Sequence, residues 1–308
     1  MTINQRTQPS TAIQLILFIG ITIGAMLIGY LFGALLIFAI YGLETLMQLA
    51  QLNLSNPDTI NALWILQIIS TTIPLFIAPV FFAYVIVKEP QTYLRTTVQF
   101  PWGLLMLTLF IMFVSSPLIE WLSNVNQRMV FSGPLKGIQD WMREKEDTAQ
   151  KLTAVLLQMK TVGSMIKNVL LVGLLTAIAE EFMFRGVIQT ILTRWTKNVH
   201  WAIWITAIFF SAFHMEFFGF LPRLLLGVLF GYMVVWSGSI WPAVWGHFIN
   251  NGTAVVVTYL FQHKKISVNP DDQHMFNYSS YLFSLIIVLF LLLMYRYIAT
   301  GKKPLGDN

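Results

Sequence analysis

The chain has 308 residues, of which 56% are hydrophobic and only 11% charged, against about 25% charged in ordinary soluble domains. Its formal charge of +5 comes from Lys and Arg scattered through short loops, which suits membrane-edge anchors and excludes a nucleic-acid surface. Cysteine is absent, which removes disulfides, thiolate metal sites and cysteine nucleophiles together.

Several apolar runs reach the roughly 20 residues that span a bilayer. The chain therefore reads as an all-α polytopic membrane protein with about eight transmembrane helices. In chain order they are 12–42, 63–87, 103–123, 166–194, 200–215, 220–236, 240–262 and 279–299. The first run is too long for a cleaved signal peptide and is expected to be retained. Pro74, Pro79 and Pro117 fall inside spans, which membrane helices tolerate when neighbours satisfy the freed carbonyls. Segments 43–62 and 263–278 are polar connectors, the latter carrying His263, Asp271, Asp272 and His274. With no internal repeat or linker, residues 1–308 are expected to form a single membrane domain.

The connector 124–165 contains QDWMREKEDTAQKLTAVLLQMK (139–160), in which Trp141, Leu152, Val155, Leu156 and Met159 can share one face. That pattern predicts an amphipathic helix at the interface, read as a surface linker in preference to a lid. An inside amino terminus puts Lys88, Arg95, Arg194, Lys197, Lys302 and Lys303 on the inner side, as the positive-inside rule asks. It also puts the six Lys and Arg of 124–165 outside, against that rule. Glu120 is expected to be solvated, Glu216 and Arg223 to pair at the interface, and Trp195, Trp201, Trp241 and Trp245 to form an aromatic belt.

The chemistry gathers in AEEFMFRG (179–186), where three ionisable side chains interrupt an apolar run. Each costs roughly 2.5–3.5 kcal/mol at a bilayer centre unless protein or water receives it. Glu181 and Arg185 are i,i+4 neighbours in the order that favours an ion pair. Glu180 points about 100° away around the helix and is not needed for that pair. His214 and His247 lie in later apolar spans, and Asn251 follows His247 by one helical turn. Glu180, His214, His247 and Asn251 together supply what amide hydrolysis needs: a proton acceptor for water, donors for an oxyanion and a proton for the leaving amine. There is no HExxH helix, no GxSxG elbow and no membrane aspartate pair. Spacing leaves two chemistries open, a zinc ion held by Glu180, His214 and His247, or water activated without a metal.

At these residues the sequence resembles the CPBP intramembrane proteases, the family of CAAX-processing endopeptidases and bacteriocin-processing or immunity-associated (Abi-type) proteins. EEFMFR (180–185), FSAFH (210–214) and HFINN (247–251) are similar to its three motifs in order, and the likeness covers about 168–260. Gly227 and Gly231 in the intervening span suit close helix packing. The resemblance implies an eight-span helical fold and an endopeptidase in which Glu180 activates water with His214. It further implies that His247 and Asn251 stabilise the oxyanion while Glu181 and Arg185 support them.

The expected substrate is a protein or peptide in or at the membrane, and the expected home is the bacterial cytoplasmic membrane. A non-enzymatic module that stabilises partner proteins is the alternative from another class. A transporter is disfavoured by the lack of an inverted repeat. No obligatory cofactor is expected, although family members are labelled metalloproteases. A zinc-bound imidazole needs an acceptor for its other nitrogen, Glu181 is committed to Arg185, and helix carbonyls are engaged by the helix itself.

Overall fold

The computed structural model describes residues 8–267, 269 and 275–301. Lys302, Lys303, Asp271, Asp272 and His274 lie outside them. The described residues are all helix and loop, with no strand. The helices are α1 (Thr11–Ala50), α2 (Pro57–Ile86), α3 (Pro90–Leu94), α4 (Gly103–Val114), α5 (Ser116–Gln127) and α6 (Lys136–Leu156). They continue as α7 (Val162–Thr196), α8 (Val199–Phe213), α9 (Phe220–Ser237), α10 (Trp241–Gln262) and α11 (Tyr278–Thr300).

All eight expected segments are helical, but eight crossings do not follow. Among the described residues, five helices are long and apolar enough to cross a membrane, or six if α4 and α5 count as one span bent by 45°. The bend falls where Pro117 lacks the N–H that would reach Phe113. Helix α8 has 15 residues, about 22 Å of rise against a core of about 30 Å. Helix α10 is long enough at 22 residues but is interrupted by His247, Asn250 and Asn251. The first span ends where expected: Gly42 breaks α1 with φ 81°, a conformation that glycine adopts without strain. Residues 43–50 nonetheless remain helical beyond it.

Packing divides the chain into two sequence-interleaved units, Met1–Arg95 with Ala179–Ala202, and Thr96–Ile178 with Ile203–Asn308. In the first, α1 lies against α2 through Gly29, which faces the backbone of Ile69 and Ser70, and Gly33, which faces the side chains of Leu66 and Ile69. Stretches of i→i+5 bonding at Ile68–Thr72 and Phe82–Ile86 flank Pro74 and Pro79 in α2 and absorb the missing donors. At one end Arg194 donates to Glu89 and to the Tyr93 hydroxyl, and Tyr93 donates to Gln14. Gln8 donates to the Val87 carbonyl at 3.1 Å. The segments expected on the inner side, 88–95 and 194, thus meet in an ion pair. Arg194 holds the Glu89 carboxyl below its ordinary range. The pair therefore adds stability above the ordinary carboxylate pKa, and that stability is lost as pH falls through the lowered value.

In the second unit, α10 packs on α4 and α9. Trp245 donates its indole N–H to the Leu105 carbonyl at 3.1 Å, and Trp241 donates to the Thr96 carbonyl at 3.0 Å. These two are half-buried and internally bonded, unlike Trp195 and Trp201, which are exposed as a belt would require. Glu120 corrects another expectation. It is buried and accepts from the Met275 and Phe276 amides and the Tyr281 hydroxyl, pinning the start of α11. Gly227 in α9 faces Ala207 of α8, whose Cβ is 2.9 Å from where a glycine side chain would begin.

Gly29→Ala should destabilise the protein by about 1–3 kcal/mol, because the new methyl would overlap the Ile69 carbonyl oxygen. Gly20→Ala, with nothing within 4 Å, should leave thermal stability in detergent unchanged or slightly raised. Equal melting temperatures for the two variants would refute this packing.

Candidate active site

On α7, Glu180 and Glu181 lie between two i→i+5 stretches, Val169–Leu175 and Phe182–Ile188, and Arg185 lies within the second. Such bulges widen the helical turn and recur at functional sites. Glu181 Oε1 and Arg185 Nη1 are 2.9 Å apart, and both side chains are fully enclosed. Glu180 is buried too, at 6% exposure. The ring of Phe182 packs on Phe76 with centroids 5.3 Å apart. Gly186 follows Arg185 at a place where a Cβ would lie 3.3 Å from the Tyr93 carbonyl oxygen, so α3 rests directly on the motif.

The second and third motifs belong to the other unit, where the structure brings His214 and His247 to one aromatic ring. Phe210 meets His214 edge-on at 5.1 Å and His247 edge-on at 5.8 Å. His247 is buried and stacked on Phe230, with rings 5.5 Å apart and 18° from parallel. Phe210 was visible in the sequence only as the first letter of FxxxH; that it separates two imidazoles was not. Phe230 carried no sequence signal at all, being one apolar residue among many in its helix.

His214 stands just past the end of α8. Its Nδ1 lies 2.9 Å from the Phe210 carbonyl oxygen. A carbonyl can only accept, so Nδ1 carries the proton and the neutral ring places its lone pair on Nε2. This corrects the expectation that no backbone carbonyl is at hand to orient an imidazole. At a helix end the last carbonyls have lost their amide partners.

Asn251 donates Nδ2–H to the Val172 carbonyl at 3.4 Å and accepts from Asn250 Nδ2 at 3.1 Å. Gly173 and Gly252 face each other here, a Cβ on Gly173 lying 3.4 Å from the Gly252 Cα, in ordinary contact. Asn251 is thus held by the neighbouring helix and by Asn250. Among the described residues no group of three or more His, Cys, Asp or Glu is gathered to hold a metal ion.

Residues 163–253 match the family model described as type II CAAX prenyl endopeptidase, Rce1-like. This stretch contains all three motifs. Over these residues the chain is similar to the type II CAAX prenyl endopeptidases. It is also 31% identical over 88 residues to a protein of Bacillus subtilis (strain 168) named only as uncharacterized protein YpbD. That likeness covers 27% of this chain and 42% of the relative, so the chain matches under half of that protein's length. No solved structure matches. The several apolar helices long enough to cross a bilayer make the chain a multi-pass membrane protein.

Glu181→Gln should strand a fully enclosed guanidinium and cost about 3–5 kcal/mol of stability, read as a fall in melting temperature or in folded yield. A well-folded but inactive Glu181→Gln protein beside an active Glu180→Gln protein would exchange the roles of the two carboxylates.

Proposed function

We propose that this protein is an intramembrane endopeptidase that hydrolyses peptide bonds of membrane-associated proteins with a water activated by Glu180 and His214. What carries the reading is the family match across 163–253, which includes every residue the chemistry needs. The His214 tautomer supports it, since a ring with Nδ1 already donating offers Nε2 to take a proton.

In this reading a water gives its proton to Glu180 or to His214 Nε2 as its oxygen attacks the carbonyl carbon. Negative charge develops on the carbonyl oxygen, and donors on His247 and Asn251 receive it. Asn251 gives one of its two amide N–H groups to Val172 and has the second to offer. The acquired proton then passes to the amine nitrogen as the carbon–nitrogen bond breaks. Glu181 and Arg185 support the carboxylate that works and transfer no proton themselves. The substrate is a protein or peptide in or at the lipid bilayer, and the match to a Bacillus protein favours a bacterial cytoplasmic membrane.

The test is purification in detergent followed by cleavage assays on a library of quenched membrane peptides, prenylated CAAX peptides among them. Glu180→Gln should fold normally and lose activity by about 100- to 10,000-fold, the scale of general acid–base catalysis. Activity of the wild type should survive exhaustive chelation. If chelation abolishes cleavage and zinc alone restores it, Glu180, His214 and His247 become the ligands and the metal-free mechanism is wrong.

A further inference from the structure

The loop that begins one residue after His214 is held from several sides. Met215 leaves the helix in a left-handed conformation, φ 55°, and a 3₁₀ turn follows at Phe217–Gly219. Asn126, fully buried in the last turn of α5, straddles this loop. It donates Nδ2–H to the Phe217 carbonyl at 2.9 Å and accepts the Leu221 N–H at 2.6 Å. Glu146 is the one buried residue of α6, and its Oε2 accepts the Phe218 N–H at 2.7 Å. Arg143, one turn earlier on α6, lays its guanidinium 3.3 Å above the Phe218 ring, and Trp141 meets Phe217 at 5.3 Å. From α8 itself Ser211 donates to the Phe220 carbonyl at 2.7 Å.

A short connector between helices ordinarily runs over the surface and is free to vary. This one takes up a buried carboxylate and a buried amide, each costly to enclose unless its hydrogen bonds are made. What the loop fixes is the backbone of His214, which lies outside the regular helix and is located by the chain on both sides of it. A displacement of about 1 Å at a reacting group can cost on the order of 100-fold in rate.

We propose that Asn126 and Glu146 are positioning residues for the hydrolytic reaction: they clamp loop 215–221 and thereby hold His214 in register. The proposal rests on the catalytic role given to His214 above. It makes the amphipathic α6 a brace for the site, neither a lid nor a mere linker.

The chain has no cysteine, so a thiol placed by Met215→Cys reports this loop alone in the full-length protein. A nitroxide there measures mobility, and a quenched membrane peptide cleaved by the wild type measures turnover. Asn126→Ala and Glu146→Ala should each loosen the label and lower kcat by about 10- to 100-fold with KM nearly unchanged. Glu146→Gln keeps an acceptor for the Phe218 amide and should restore most of both. Should Glu146→Ala not fold, Glu146→Asp, a methylene short of that amide, gives the same contrast. A label equally immobile in the clamp variants overturns the proposal, and so does a loosened label with unchanged kcat. A fully active His214→Ala protein would instead overturn the functional reading, while the label would still tell whether the clamp holds the loop.

Discussion

A guanidinium with no exposed surface has to bring its own counter-charge. Arg185 does so within one helix, where Glu181 lies four residues before it at 2.9 Å. In a low-dielectric interior an unpaired ion costs several kcal/mol, so the rest of α7 can be apolar only because this pair is closed. Neutralising one arginine needs one carboxylate. Glu180 adds a second buried carboxylate within electrostatic reach of the same guanidinium, and an ionisable group inside a membrane segment is a functional candidate.

The same scarcity of water explains where the other polar side chains turn. Trp241 and Trp245 donate to the Thr96 and Leu105 carbonyls, at the approach to α4 and in its first turn. Asn251 reaches Val172 within a stretch of i→i+5 bonding, where the widened turn offers a carbonyl that a regular helix would keep to itself. Breaks and ends of helices are thus the places where donors find acceptors, and three of the proposed site residues lie on or beside such irregularities.

Much of this was legible in the sequence because it is local. Hydropathy placed the eight apolar helical segments, amphipathic patterning pointed to α6, and i,i+4 spacing announced the Glu181–Arg185 pair. What was not legible depends on partners distant in the chain. Glu120 looked solvated because nothing nearby could enclose it; its donors come from residues 275–281, more than 150 positions on. Asn126 and Glu146 looked like ordinary polar residues of a connector, since their acceptor and donors lie on a loop some 70 to 95 residues later. The bend between α4 and α5 escaped because mean hydropathy measures apolarity along a segment and is blind to its direction.

The position of His214 shows how a helix end can orient the imidazole proposed as a base. Had α8 continued, the His214 amide would bond the Phe210 carbonyl and the imidazole would have to seek another partner. Instead that amide turns to the Ser211 carbonyl at 3.4 Å, a tighter and weaker bond, and the ring of the same residue takes the Phe210 oxygen. One residue thereby terminates the helix, satisfies an orphaned carbonyl and fixes its own tautomer. The left-handed turn at Met215 makes this exchange possible by directing the chain away at once. A helix extended by a single turn would carry the same histidine with its basic nitrogen undetermined, so the chemistry depends on where α8 stops as much as on which residue stands there.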